Sequence, residues 1–267
     1  MRVTRRQEHV DAYWARRWAA IPADEAAANP EAYPLRHALE AMQGVSGPVL
    51  EAGCGSGRIL RRFHDQGARI VGMDYVAPGL AKLAQADGSL TLVQADMRRL
   101  PFADGAFQCV LAFGLYHGIE HGMDQALAET LRVLAPGGAL CASFRTDNLQ
   151  NRLIDWHAAQ KAKGPKPDGP GQFHKLNLTR REYESLLTRA GFTVERTWAA
   201  QNYPFLYKFP LFRAAEQASF DESRGRRDGY RLNLAGRALQ GALYALAPYQ
   251  MCNVTVCLAR KPGREAA

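Results

Sequence analysis

Residues 49–58 read Val49-Leu50-Glu51-Ala52-Gly53-Cys54-Gly55-Ser56-Gly57-Arg58. The short apolar run reads as a buried strand. It passes straight into three glycines at alternate positions, ahead of a helix expected over 58–66. Glycine lets the backbone turn tightly and come close to a ligand. The helix that follows offers N–H groups without intrahelical partners to a negative group. A dinucleotide fold asks for G-x-G-x-x-G/A, whose third glycine permits close helix–strand packing. Here the spacing is G-x-G-x-G, and Arg58 stands where that third glycine belongs. A plainer reading, glycines that merely turn the chain, sits poorly with three of them alternating directly after an apolar strand.

Outward from this stretch, strands and helices alternate. Ala68–Met73 reads as a strand ending at Asp74, followed by a helix over 78–86. Leu90–Ala95 is a third strand ending at Asp96, and Phe107–Phe113 a fourth. A helix over 123–134 places Leu127, Leu131 and Leu134 on one face, Pro136-Gly137-Gly138 makes a turn, and Ala139–Phe144 is a fifth strand. Such repeated units predict a parallel sheet with helices on both faces. Ligands of these sheets sit beyond the carboxyl ends of the strands, where the glycines, Asp74 and Asp96 all fall. Asp74 suits two ribose hydroxyls, and Asp96 an exocyclic adenine amine with Met97 packed on the ring; both also suit a cap or turn.

The flanks read differently. Helical spacing of Val10, Trp14 and Trp18 predicts a helix over 8–20, and a second covers 35–43, stopped by Gly44 and Gly47. The Lys-, Gly- and Pro-rich residues 161–173 read as a mobile loop. Thr179 and Glu182 form a capping box that opens a helix to Arg189, ahead of a strand at 192–199. A last strand is expected at 251–260. The stretch between these two strands far exceeds a normal connection, so residues 200–250 read as an inserted cap. It holds the aromatic run 203–212, a basic patch at Arg224–Arg231 and an apolar helix at 233–247. The implied organisation is an N-terminal helical lid (1–47), a core (48–199 and 251–262) and the cap.

In order and spacing, EAGCGSGR (51–58), GMDYV (72–76), QADMRRLPF (94–102) and LRVLAPGGAL (131–140) resemble class I S-adenosylmethionine-dependent methyltransferases of the small-molecule, type 11 group. The resemblance is strong over 49–144 and extends weakly over 173–195. It implies a Rossmann-like α/β sheet of seven mostly parallel strands with the last antiparallel. It also implies S-adenosylmethionine as cofactor and S-adenosylhomocysteine as product. Gly53, Gly55 and Gly57 would line the methionine portion with Glu51 beside it, Asp74 and its neighbour Tyr75 the ribose, Asp96 and Met97 the adenine, and Phe113 and Gly114 the sulfonium.

Methyl transfer is an in-line displacement in which positioning does most of the work, and a base is needed only if the nucleophile must lose a proton. Tyr116, His117 and His121 follow the fourth strand and are the catalytic candidates, with packing as the plain alternative. Tyr13, Trp14, His174, Tyr203 and Tyr207 are candidates for the acceptor side, where an aromatic face also suits a sulfonium. The fourth strand lacks the Asn/Asp-Pro-Pro-Tyr ending of many adenine and glutamine N-methyltransferases. No Cys/His cluster has zinc spacing, no acidic set has the spacing of a magnesium-dependent catechol type, and no metal is expected.

The chain has 267 residues, 47% of them hydrophobic and 22% charged, which excludes fibrous and wholly disordered classes. No apolar run approaches the ~18 residues of a membrane span, and the N-terminus lacks the apolar core of a secretory signal. Net charge is +8, and residues 145–267 carry 20 basic against 11 acidic side chains. A basic half suits an anionic substrate, a nucleic acid or a membrane surface, or is a solvated face. Five scattered cysteines read as buried thiols of a cytoplasmic protein. The expectation is a cytoplasmic enzyme, a monomer or homodimer, that methylates an oxygen, nitrogen or carbon nucleophile of an aromatic or lipid-linked small molecule. Three alternatives stand beside it: a nucleic-acid methyltransferase, which lacks a recognisable RNA-binding module, a nicotinamide-dependent oxidoreductase, and a cofactor-binding protein without catalysis.

Overall fold

The computed structural model describes residues 1–6, 8–21, 23, 26–161, 171–219, 225 and 229–263. Its centre is a seven-stranded sheet in the order β4-β3-β2-β5-β6-β9-β8. The strands are β2 (Val49–Ala52), β3 (Ile70–Asp74), β4 (Thr91–Gln94), β5 (Phe107–Phe113), β6 (Leu134–Arg145), β8 (Thr193–Ala200) and β9 (Val254–Arg260). The first five pair in parallel, and β9 runs antiparallel to both β6 and β8. This is the sheet expected from the sequence.

The pleat sorts the core. On one face, Leu50, Ala52, Val110, Ala112, Leu140 and Ala142 pack with Leu127 of α5 (Met123–Val133) and Leu187 of α7 (Arg180–Arg189). On the other, the alternate residues Val49, Cys109, Leu111 and Cys141 pack with α2 (Leu35–Ala41) and α3 (Arg58–His64). Strands buried on both faces read as continuous apolar runs. Strand order reverses between β2 and β5: one side continues to β3 and β4, the other to β6. The crevice at that reversal, beyond the carboxyl ends, is where such sheets hold ligands.

Three regions depart from expectation. The N-terminus is not helical from its start: β1 (Arg2–Arg6) pairs antiparallel with β7 (Gln172–Asn177) in a separate ribbon, ahead of α1 (Val10–Ala20). Gln172 and Phe173, expected in the loop, are therefore strand, whereas 162–170 lie outside the described residues. Residues 149–160, to which the sequence assigned no element, and Lys161, expected in the loop, form α6 (Leu149–Lys161). Its anchors are polar: the Asn148 side chain donates to the Tyr249 and Cys252 carbonyls, and that of Asn151 to the Thr146 and Asn253 carbonyls.

Among the described residues, the long connection between β8 and β9 contains short 3₁₀ turns (Phe205–Lys208, Pro210–Phe212, Ala215–Gln217) and α8 (Leu234–Leu246). Leu206, Tyr207 and Leu232 are its own small core, joined by Tyr203, Phe205, Phe212 and Tyr230. Most of the basic patch expected at 224–231 falls outside the described residues. The capping box at Thr179 and Glu182 is present, and α4 (Ala77–Ala86) links β3 to β4. Among the described residues no helix is long and apolar enough to cross a membrane.

Candidate functional site

The loop after β2 is tied to the end of β3. The Gly53 and Cys54 amides donate to the Met73 carbonyl at 2.7 and 3.0 Å. Asp74 then receives the Gly55 amide on Oδ2 at 2.8 Å and the Val76 amide on Oδ1 at 2.9 Å. Burial raises its carboxyl, and these N–H groups oppose that rise. Gly55 has φ +54° and Gly57 φ +86°, a region that L side chains rarely adopt. A Cβ on Gly57 would lie 2.3 Å from Leu83 of α4, and one on Gly55 2.6 Å from the Trp18 ring of α1.

Helix α1 thus lies across the glycine loop. Trp18 stacks on Trp14, with centroids 5.2 Å apart and planes 19° from parallel. Lys82 of α4 donates to the Ala19 and Ile21 carbonyls at 2.6 and 2.7 Å, which satisfies carbonyls that a helix end leaves open.

Glu51 is buried at the carboxyl end of β2, and its Oε2 has no hydrogen-bond partner. Burial, with Asp74 adding repulsion, pushes its carboxyl up to about 8. Such a group takes a proton unless a cation comes to it.

One cavity of about 1190 Å³ joins these features to the far side of the sheet. At the end of β5, the Gly114 amide donates to Ser143 Oγ at 2.9 Å, and that oxygen also meets the Tyr33 hydroxyl at 2.8 Å. Tyr33 stands edge-on to Phe113, and burial pushes its hydroxyl up to about 12. His117 is buried in the short 3₁₀ turn (Tyr116–Gly118) beyond β5. Its Nδ1 lacks a partner, and a Cβ on Gly114 would lie 3.7 Å from its Cε1. Desolvation, then the positive charges of Lys175 and Arg145, hold its imidazole well below the usual histidine range, so it is neutral.

The cavity gathers most of the residues singled out in the sequence. Glu51, Gly53, Gly55, Asp74, Tyr75, Asp96, Met97, Phe113 and Gly114 line it, as do Tyr13, Trp14, His117, His121, Tyr203 and Tyr207. Three do not. Gly57 is the packing glycine against Leu83. Tyr116 points into the core, its hydroxyl bonded to Thr130 Oγ1 at 2.7 Å, so its place as a catalytic candidate is corrected. His174 is buried edge-on against Tyr13 at 5.2 Å, and neither ring nitrogen has a partner. Two lining residues hold less than expected. Asp96 is gripped by the Arg98 guanidinium at 2.6–3.0 Å, and His121 is at the rim with its side chain 85% exposed.

Sequence reasoning missed Trp18 as a lining residue, and also Tyr33, Arg145 and Lys175. Trp18 carried a signal in its spacing from Trp14; the other three stand in segments without periodicity. Among the described residues no group of three or more His, Cys, Asp or Glu side chains suits a metal ion.

Residues 50–142 match a family model described as a methyltransferase domain. A probable S-adenosylmethionine-dependent methyltransferase of Mycolicibacterium smegmatis is 33% identical over 56% of this chain and 53% of its own length. Demethylmenaquinone methyltransferase of Thermus thermophilus is 40% identical over 34% of this chain and 43% of its own. The chain thus spans about half the length of these curated relatives. A Haloferax volcanii structure, a putative methyltransferase in complex with the Trm112 methyltransferase activator, superposes with TM-score 0.60 at 16% identity, covering 96% of this chain and 97% of that one. That likeness bears on the fold.

Proposed function

We propose that this chain, whose residues 50–142 match a methyltransferase-domain model, is a class I S-adenosylmethionine-dependent methyltransferase that moves a methyl group from S-adenosylmethionine to a nucleophile of a small molecule. The nucleophile is oxygen, nitrogen or carbon, and the acceptor is aromatic or lipid-linked. The observation that carries the reading is the orphaned, buried Oε2 of Glu51. It belongs to the same cavity as Asp74 and the glycine loop. A buried acceptor raised towards neutrality fits a ligand that brings positive charge, as an amino-acid sulfonium does.

In this reading Glu51 takes the ligand's cationic end and Asp74 its ribose hydroxyls, while Gly53 and Gly55 let the chain come close. Tyr75 stands with Asp74 at the ribose, Met97 packs on the adenine, Phe113 and Gly114 border the sulfonium, and Asp96 orients Arg98 as well as meeting the adenine. Bound there, S-adenosylmethionine supplies an electrophilic methyl group. Tyr13, Trp14, Tyr203 and Tyr207 shape the acceptor side and exclude water. His117, neutral and part of the cavity wall, takes the proton of a hydroxyl or amine acceptor. Residues 1–47 act as lid and 200–250 as substrate cap. The five cysteines, all buried free thiols, support a cytoplasmic setting.

Calorimetry with S-adenosylhomocysteine, NAD(H) and NADP(H) tests the reading. S-adenosylhomocysteine alone should bind, stabilising the fold by about 2.7 kcal/mol at ~100 times its dissociation constant. Binding of a nicotinamide cofactor alone overturns it.

A further inference from the structure

We infer that the methyl acceptor carries an anionic group, a carboxylate or a phosphate, and that Lys175 is the residue that receives it. The inference rests on the methyltransferase reading and names the acceptor class for the same cavity.

The strand order places a surplus of cations at one end of the cavity, whereas the carboxyls at the other end share it with Arg58 and Arg98. Glu51, Asp74 and Asp96 stand at or just beyond the ends of β2, β3 and β4, on one side of the reversal point. Arg145 ends β6 on the other side, and Lys175 lies on β7 beyond it. Lys208, from the β8–β9 connection, and Arg6 complete the cationic end. Gly114 and His117, after β5, stand between the two. An anionic acceptor would therefore find positive charge at its own end, with its reacting atom towards the middle.

Lys175 is the group at this end that is both drawn in from solvent and without a compensating partner, whereas Arg6 and Lys208 are exposed. Arg145 is already held by the two carboxylate oxygens of Asp155 at 2.8 and 3.0 Å, and by Asn177. Asp155 also takes Arg2 at 2.9 Å. The Lys175 side chain makes no hydrogen bond or ion pair with any described residue, although it is half-buried in the cavity wall. The charges facing it are Arg145, Arg6 and Arg17, opposed by Asp155 alone, and the neighbouring His117 and His174 are neutral. Burial and these cations bring its ammonium down to about 8. A cation drawn from solvent without a partner costs stability that a bound anion recovers. Three tyrosines of the same cavity suit a planar acceptor: Tyr230 packs edge-on to Tyr203 and Tyr207, with centroids 5.6 and 4.9 Å apart, and Lys208 stands over the Tyr203 ring.

The test titrates protein saturated with S-adenosylhomocysteine with benzoate, phenyl phosphate and the neutral benzamide, following heat. One of the two anions should bind about tenfold or more tighter than benzamide, and which one does so separates carboxylate from phosphate. Lys175→Met should lose most of that preference and Lys175→Arg keep it, with S-adenosylhomocysteine affinity equal in all three proteins. Should Lys175→Met not fold, wild type decides: its anion affinity should fade as pH rises through the Lys175 titration while that of benzamide stays level. Equal binding of anion and neutral analogue, no anion binding, or full preference in Lys175→Met overturns the inference and leaves the methyltransferase reading intact. Failure of S-adenosylhomocysteine itself overturns that reading instead, and the same titrations of the unliganded protein still decide the role of Lys175.

Discussion

Gly55 and Trp18 are in contact across the mouth of the site: a single added methyl on the glycine would lie 2.6 Å from the indole. The loop that turns at φ +54° is thus also the surface on which α1 rests. Gly55→Ala meets two obstacles, a backbone conformation costing about 1 kcal/mol or more for a non-glycine residue and the collision with Trp18. We expect it to lower stability by about 1–3 kcal/mol and to weaken S-adenosylhomocysteine binding. Adding Trp18→Ala removes the collision but not the backbone cost. The double variant should therefore lose less stability in urea melts than the two single losses combined.

Glu51 predicts a proton count. Its carboxyl sits at about 8 in the ligand-free protein, so it is largely protonated at neutral pH. A ligand ammonium or sulfonium favours the ionised form. Binding of S-adenosylhomocysteine at neutral pH should release close to one proton, read as a dependence of calorimetric heat on buffer ionisation enthalpy. In Glu51→Gln the release should vanish and affinity fall by about tenfold or more. The fold responds with a definite sign. A carboxyl raised in the folded state binds more protons there than in the unfolded chain, so its contribution to stability declines as pH rises from its ordinary value to about 8. Glu51→Gln should lose that decline.

Three histidines set the acid limb. Burial holds His37 at about 4, His174 at about 3 and His117 well below its ordinary value. The unfolded chain protonates all three near 6.5, so their contribution is complete above that pH. It is lost as pH falls from there towards the folded values. Stability curves should steepen on the acid side by up to three protons, offset by the one that Glu51 takes up. His174→Phe keeps the edge contact with Tyr13 and removes two ring nitrogens that have no partners. It should reduce the acid slope by about one proton at little cost in stability at neutral pH.

The central sheet was legible because β2, β5 and β6 are buried on both faces and so keep apolar runs, with turn glycines marking their ends. The β1–β7 ribbon was not, because residue 2 pairs with residue 177 and neither short, charged strand shows a period. Helix α6 escaped for another reason. Asn148 and Asn151 hold it, while Leu149, Leu153 and Trp156 face outward, so hydrophobic spacing carried no information about it. The glycines, Asp74 and His117 were found from their place after strands. Lys175 was not, since its significance lies in the absence of a partner, which no residue spacing encodes. Tyr116 and His117 are adjacent in sequence, and only the 3₁₀ turn sends one side chain into the core and the other to the cavity.

That division gives the last prediction. His117 lies edge-on to Phe144 with centroids 6.0 Å apart, so the ring has a packing role that must be separated from proton transfer. His117→Phe preserves the aromatic contact and removes the basic nitrogens. If the acceptor loses a proton during transfer, turnover of methyl-labelled S-adenosylmethionine should fall by about 10²–10⁴-fold, with S-adenosylhomocysteine affinity unchanged. The low imidazole value also shapes the pH profile: a base that stays neutral down to acidic pH leaves the rate flat from mildly acidic to neutral conditions. His121, exposed at the rim, should tolerate alanine without loss. Unchanged turnover in His117→Phe would mean that the acceptor arrives already deprotonated, or that its proton goes to another group or to water, and would leave His117 as a wall of the cavity.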